Sequence, residues 1–79
     1  MFKNKNEGKN NLCGDKIHAL RLAYPSKFSQ RALADKMQLI GVDIDKNAIQ
    51  RIESGKRFVT DIELKAFAEV FGVSVSDLI

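Results

Sequence analysis

Residues 29–57, with the sequence SQRALADKMQLIGVDIDKNAIQRIESGKR, decide the fold because they hold two helix patterns joined by a short turn. Ser29 is a good N-cap, since its hydroxyl can accept a hydrogen bond from a free backbone N–H of the first turn. The helix that it opens is expected to run to about Leu39, and Gly41 can close it in the left-handed conformation. Asp45 is expected to cap a second helix over 46–53.

The second of these helices is predicted to have two different faces. Ile49 and Ile52 point inward at helical spacing, whereas the outward side chains are polar. The outward residues are Lys46, Asn47, Gln50 and Arg51. In the DNA major groove, which is ~12 Å wide and admits a helix, Arg and Lys can bind guanine, and Asn and Gln can pair with adenine. An ordinary solvated helix face would carry similar residues, so this pattern alone leaves both interpretations open.

The flanking sequence predicts more helices. A first helix is expected over 15–24, a fourth over 61–71 after the cap Thr60, and a last short turn that begins at Ser74 or Ser76. No alternation of polar and apolar residues typical of strands is sustained. The sequence therefore predicts an all-α fold, a compact bundle of four to five helices.

Apolar residues at helical spacing mark the expected core of this bundle. Outside the two central helices they are Ile17, Leu20, Leu22, Tyr24, Phe28, Phe58, Ile62, Leu64, Phe67, Ala68, Val70 and Phe71. Ile40 or Ile44 is expected to close the edge of the core next to the turn.

Composition limits the classes of function. A chain of 79 residues can bury only ~60% of its unfolded surface, so a deep catalytic cleft is not expected, and neither is a cofactor. The single cysteine, Cys13, excludes a disulfide framework and a multi-cysteine metal site, and it favours a cytoplasmic protein. His18 lies on the first helix without a second histidine nearby, so it predicts no metal site. No apolar stretch approaches the ~20 residues that cross a bilayer.

Charge is unevenly distributed along the chain. Residues 1–26 and 27–58 each carry a net charge of +3, whereas residues 59–79 carry −3. A basic front and an acidic back would orient the domain in the field of a polyanion such as DNA. Residues 1–12 are expected to form a flexible polar arm, and residues 13–79 the ordered domain.

Three motifs, in this order, resemble the Cro/phage-repressor (XRE-type) helix-turn-helix family. They are SQRALADK at 29–36, AIQRIESGKR at 48–57 and LKAFAEVFGVSVSDL at 64–78. The resemblance covers residues 13–79 and implies the lambda-repressor-like fold. It also implies sequence-specific binding of double-stranded DNA by a bacterial or phage transcriptional regulator.

The resemblance further implies roles at matching positions. The positions that read bases are Lys46, Asn47, Gln50 and Arg51, and the positions that hold phosphates are Gln30, Ser54, Lys56 and Arg57. Arg21 and Glu53 match a structural pair that forms a salt bridge beneath the reading helix. One departure concerns Ala34 and Ile49, which are 15 positions apart here and usually ten apart in the family, so five inserted residues must lengthen the second helix or the turn.

Two functional interpretations remain open at this point. The first is the DNA-binding regulator, for which a homodimer on a two-fold site is expected because a single domain of this size buries only ~600–1,000 Å² against DNA. The second is a protein-interaction module, such as an antitoxin-like or adaptor domain, which would favour exposed apolar residues on the reading helix. The residues that could form a dimer contact, or alternatively complete the monomer's own core, are Val73, Val75, Leu78 and Ile79.

Overall fold

Four α-helices and a terminal 3-10 helix make up the computed structural model, which describes residues 8–79. The α-helices are α1 (Gly14–Leu22), α2 (Gln30–Leu39), α3 (Lys46–Glu53) and α4 (Asp61–Phe71), and the 3-10 helix spans Val75–Leu78. No strand occurs within the described residues. The all-α prediction is therefore confirmed. Residues 1–7 of the predicted arm lie outside the described part of the chain.

Side-chain caps fix where α2, α3 and α4 begin. Ser29 Oγ and Asp45 Oδ1 each accept a hydrogen bond from the backbone N–H three residues further on, at 3.0 and 2.8 Å. Thr60 caps α4 in a capping box, in which the Glu63 carboxylate accepts from the Thr60 backbone N–H at 3.0 Å. The three predicted caps are confirmed, and each cap side chain accepts a hydrogen bond from a backbone N–H in the first turn of its helix.

One hydrophobic core lies between the helices. Its fully buried side chains are Ile17, Leu33, Met37, Ile44, Ile49, Ile52, Phe67 and Leu78. Phe28 is also buried, and the rings of Tyr24 and Phe71 pack against it with centroids 4.5 and 5.9 Å away. Leu78 thus completes the core of the monomer, whereas Val75 and Ile79 remain exposed.

Several apolar residues predicted to be buried are not. Leu22 is 65% exposed and Ile62 is 71% exposed. Each lies five residues from a fully buried residue of its own helix, Ile17 or Phe67, and five residues correspond to about 140° around the helix, so both side chains point outward. Phe58 is exposed in the loop between α3 and α4.

The first helix is shorter than predicted, because it ends at Leu22 and not at Tyr24. The Ala23 N–H still bonds to the Ala19 carbonyl, and the Tyr24 N–H shifts to the Arg21 carbonyl at 3.4 Å, which marks the end of the regular helix. Tyr24 is also partly exposed at the start of the following loop.

The five inserted residues form a longer turn between α2 and α3. Gly41 takes a φ of +91°, and the Gln38 side-chain amide donates to the Ile44 carbonyl at 3.0 Å. Ile44 is 2% exposed and closes the edge of the core, whereas Ile40 is 45% exposed. Of the two isoleucines expected to close this edge, the structure selects Ile44, and α3 therefore keeps its buried face against the bundle.

The backbone at the start of α1 lies very close to the backbone at the end of α3. A Cβ built on Gly14 would lie 2.2 Å from the carbonyl oxygen of Ile52. That distance is far below any van der Waals contact, so only glycine fits there. The two helix backbones are consequently very close at this point.

Within residues 8–79, every helix is too short or too polar to cross a membrane.

Candidate nucleic-acid interface

The outward face of α3 carries four exposed polar side chains. They are Lys46, Asn47, Gln50 and Arg51, the residues predicted to read bases. Among residues 8–79, none of these four side chains takes part in a hydrogen bond or an ion pair. The opposite face presents Ile49 and Ile52, which are fully buried. The helix is therefore fixed on one side and presents hydrogen-bonding groups to solvent on the other.

Glu53, the last residue of α3, joins three helices. Its side chain is only 4% exposed. Its carboxylate accepts from Arg21 Nε at 2.7 Å and Arg21 Nη2 at 2.9 Å on α1. It also lies 2.8 Å from His18 Nδ1 and accepts from the Gln30 amide of α2 at 3.1 Å. The structure thus brings together the predicted pair of Arg21 and Glu53 and adds two further donors.

The electrostatics of this cluster favour the charged carboxylate. Burial by itself would raise the pKa of Glu53, but hydrogen bonds from Arg21, His18 and Gln30 outweigh that effect and hold the pKa below its ordinary value. The same pairing raises the pKa of Arg21. A buried, charge-assisted contact of this kind fixes the end of α3 against α1 and against the first residue of α2.

Gln30 occupies the first position of α2, where backbone N–H groups at a helix start point outward. One hydrogen of its amide is directed to Glu53 at 3.1 Å, and an amide group has a second N–H and a carbonyl for other partners. The hydrogen bond to Glu53 at the end of α3 therefore holds the side chain of Gln30, which is predicted to bind a phosphate, in one orientation.

The three other residues predicted to hold phosphates follow α3 and differ in their contacts. Lys56 is exposed, and Ser54 Oγ donates to the Arg51 carbonyl at 3.2 Å. The Arg57 guanidinium is half-buried and donates to both carboxylate oxygens of Glu63 at 2.9 Å. This pair lowers the pKa of Glu63 and raises that of Arg57. Lys56 is thus presented to solvent, whereas Arg57 is engaged by the start of α4.

Residues 9–11 contact the same loop, and we call them the N-terminal clasp. Both Asn10 and Asn11 donate to backbone carbonyls of residues 52–57, at 2.8–3.1 Å. The Lys9 side chain packs on Gly55 and pairs with Asp15. No signal in the sequence predicts these contacts, because asparagines in a polar stretch are typical of an unstructured segment.

Sequence reasoning also missed the role of Glu63. The spacing of Thr60 and Glu63 is that of a capping box, a signal that could have located the carboxylate that Arg57 contacts. Asp43 and Asp45 both precede α3 and line a polar recess together with Arg51. Asp45 is the helix cap, as predicted.

Cys13 lies outside this face and belongs to the hydrophobic core. Cys13 is buried, and burial raises its pKa to about 11, so the thiol stays protonated at neutral pH. Among the described residues, no group of three His, Cys, Asp or Glu side chains is placed to hold a metal ion.

Comparison with known proteins agrees with this architecture. The family model described as Helix-turn-helix matches residues 17–78, which include all four α-helices except the first turn of α1. Neither the curated proteins nor the solved structures gave a match. Domains of the matched family bind double-stranded DNA and regulate transcription, and they are not typically enzymes. From its motifs, its fold and this match, the chain belongs to the Cro/phage-repressor (XRE-type) helix-turn-helix family.

Proposed function

We propose that this protein is a sequence-specific, double-stranded DNA-binding transcriptional regulator of the bacterial or phage repressor type. The observation that carries the proposal is the outward face of α3. Its four polar side chains have no partner among residues 8–79, and its inner face is fully buried. Such a helix can enter the major groove and exchange contacts with water for contacts with base edges.

Residues on both sides of α3 suit the DNA backbone. Gln30 lies at the start of α2, and Ser54 and Lys56 lie beyond the end of α3. Contacts from these positions would fix the orientation of α3 in the groove, while they carry no sequence information themselves. Arg57 can contact the DNA backbone only with the part of its side chain that remains exposed, because Glu63 accepts hydrogen bonds from two of its guanidinium nitrogens.

The alternative, a protein-interaction module, predicts an apolar outward face on α3. The structure supports it less well, because the exposed residues of α3 are polar and the apolar side chain of Ala48 is partly covered. Exposed apolar residues elsewhere, such as Leu39 and Ile62, lie on different helices. Single apolar residues at a surface are common in proteins that do not bind partners there.

Selection of bound sites from a random duplex pool, followed by titration, tests the proposal. We expect a defined sequence to be recovered, with affinity for it far above that for random duplex, and steep weakening of both as salt rises. For a homodimer, the recovered site is a palindrome that binds two chains. Failure of the full chain to bind any duplex at low salt would overturn the proposal and favour the interaction module.

A further inference from the structure

The backbone that follows α3 turns its carbonyl groups toward the N-terminal clasp. Asn10 accounts for two of these contacts: its backbone N–H donates to the Gly55 carbonyl at 2.8 Å, and its side-chain amide donates to the Lys56 carbonyl at 2.9 Å. Asn11 accounts for two more, because its side-chain amide lies 3.1 Å from the Ile52 carbonyl oxygen and 2.8 Å from that of Arg57. Four carbonyl groups in a stretch of six residues are thereby engaged from one side.

The direction of these carbonyls matters for binding a polyanion. Carbonyl oxygens at the end of a helix carry partial negative charge, equivalent to roughly half an elementary charge at the terminus. Toward a phosphate, that charge would be repulsive. Because the amide groups of Asn10 and Asn11 donate to these oxygens, their partial negative charge is compensated within the protein, and the exposed Lys56 side chain remains available to a phosphate.

The clasp is itself anchored to α1. The Gly14 backbone N–H donates to Asn11 Oδ1 at 2.8 Å, and Lys9 pairs with Asp15 in the first turn of that helix. The stem of Lys9 also covers Gly55 so closely that a Cβ there would meet Lys9 Cγ at 2.9 Å. The loop is therefore held by a segment that α1 supports, independently of the contacts made by Glu53.

We propose that Asn10 and Asn11 are positioning residues for DNA-backbone binding, acting through the 54–57 loop that they hold. The inference rests on the proposed function, and it adds a segment that precedes the matched family domain to the DNA-binding unit. Neither asparagine needs to touch DNA for this role. Their effect should be the same on all duplex sequences, since the loop is proposed to hold phosphates only.

The test compares Asn10→Ala and Asn11→Ala with Ser74→Ala, a control that removes the hydrogen bond from Ser74 Oγ to Asp77 Oδ2 at the start of the 3-10 helix. Asn10→Ala is the milder change, because the backbone bond to Gly55 remains, and it keeps the test usable if Asn11→Ala does not fold. For each chain, affinity for the selected duplex and for random duplex is measured over a range of salt, together with stability against urea.

We expect both asparagine variants to bind either duplex roughly threefold to tenfold more weakly, as for the loss of one hydrogen bond. The slope of log affinity against log salt should fall by about one unit as the Lys56 contact is lost. Ser74→Ala should lose stability and retain both affinity and slope. Folded asparagine variants with unchanged affinity and slope would overturn the inference alone, whereas a wild-type chain that binds no duplex would overturn the proposed function.

Discussion

The arginine side chains of this protein differ in whether they form a salt bridge with a glutamate. Arg21 is paired with Glu53 and Arg57 with Glu63, and both pairs are bidentate. Arg51 has no acidic partner among residues 8–79, although it belongs to the same helix as Glu53. Paired guanidinium groups hold helices together, whereas an unpaired guanidinium group, such as that of Arg51, keeps its donors for a ligand.

Arg51→Ala is expected to weaken binding to the selected site by ~1–3 kcal/mol and to relax the preference at one base pair. The reason is that its fork can bind the two acceptors of guanine, whereas alanine binds neither. Competition titrations against single-base variants of the site measure the effect. Lys65→Ala, which removes an exposed positive charge from α4, is the charge-matched control. Equal losses on selected and random duplex would show that Arg51 reads no base.

Lys56→Ala is expected to lower affinity for all duplexes alike and to reduce the salt slope by about one unit. A phosphate contact releases a counterion and carries no sequence information, so the ratio of selected to random affinity should remain as in the wild type. Titrations at four or more salt concentrations give the slope. The prediction fails if the slope is unchanged or if the ratio shifts.

At this scale the sequence predicts only part of the site. The outward positions of α3 follow from helical spacing, and a spacing rule needs nothing beyond the chain itself. Arg57 illustrates the limit, because whether it is exposed or paired depends on how the loop after α3 returns to α4. Asn10 and Asn11 are a second limit, since their partners lie more than 40 residues away in the chain.

Among the helices and turns, the connection between α2 and α3 contains the five residues that the spacing of Ala34 and Ile49 marks as an insertion. The inserted residues could have lengthened α2 or the turn, and the structure shows the second outcome. The positive φ of Gly41 directs the backbone away from α2, and the buried side chain of Ile44 packs in the core just before the cap residue Asp45. The buried face of α3 is therefore preserved despite the longer connection.

Ile44→Val is expected to lower the free energy of unfolding by ~0.5–1.5 kcal/mol, because it removes a methylene from a fully packed site. Ile40→Val is the matched control, since the same change at an exposed position should stay within ~0.5 kcal/mol of the wild type. Urea unfolding followed by circular dichroism measures both. Similar losses for the two variants would mean that Ile44 does not close the core.

Helix starts are predicted well from the sequence, and helix faces less well. Ser29, Asp45 and Thr60 act through local hydrogen bonds, so their role is visible within a few residues of sequence. The predicted burial of Leu22 and Ile62 is wrong because apolar character alone does not say which side of a helix is covered. That information comes from the neighbouring helices, and both residues lie about 140° away from the side that those neighbours cover.

Considered as a whole molecule, the protein holds α3, the helix proposed to read bases, by charged contacts that are largely shielded from water. Glu53 ties α3 to α1 and α2, and Glu63 ties the following loop to α4. Both carboxyl groups have pKa values below the ordinary 4.5. The placement of α3 therefore depends on two carboxylates that must remain ionised.

Stability is expected to decrease as the pH falls below about 4.5, the value for these groups in the unfolded chain. A carboxyl with a lowered folded-state pKa contributes its full stabilisation above the unfolded value and loses it as pH falls through the folded value. Urea unfolding at a series of pH values tests this. Glu63→Gln should reduce the acid loss and Glu69→Gln, on the exposed side of α4, should not. A stability that is level between about pH 6 and pH 3 would contradict the prediction.

Gly14 helps to set the position of α3, whereas the outward residues of α3 determine which groups that helix presents to a ligand. The contact of the Gly14 backbone with the Ile52 carbonyl limits how closely α3 approaches α1, and any side chain at position 14 would increase that distance. Replacement of the outward residues of α3 should accordingly yield regulators with new target sites and an unaltered scaffold. A methyl group at position 14, by contrast, would push α3 away from α1. Gly14→Ala should therefore abolish DNA binding in each of these variants, whatever site the variant recognises.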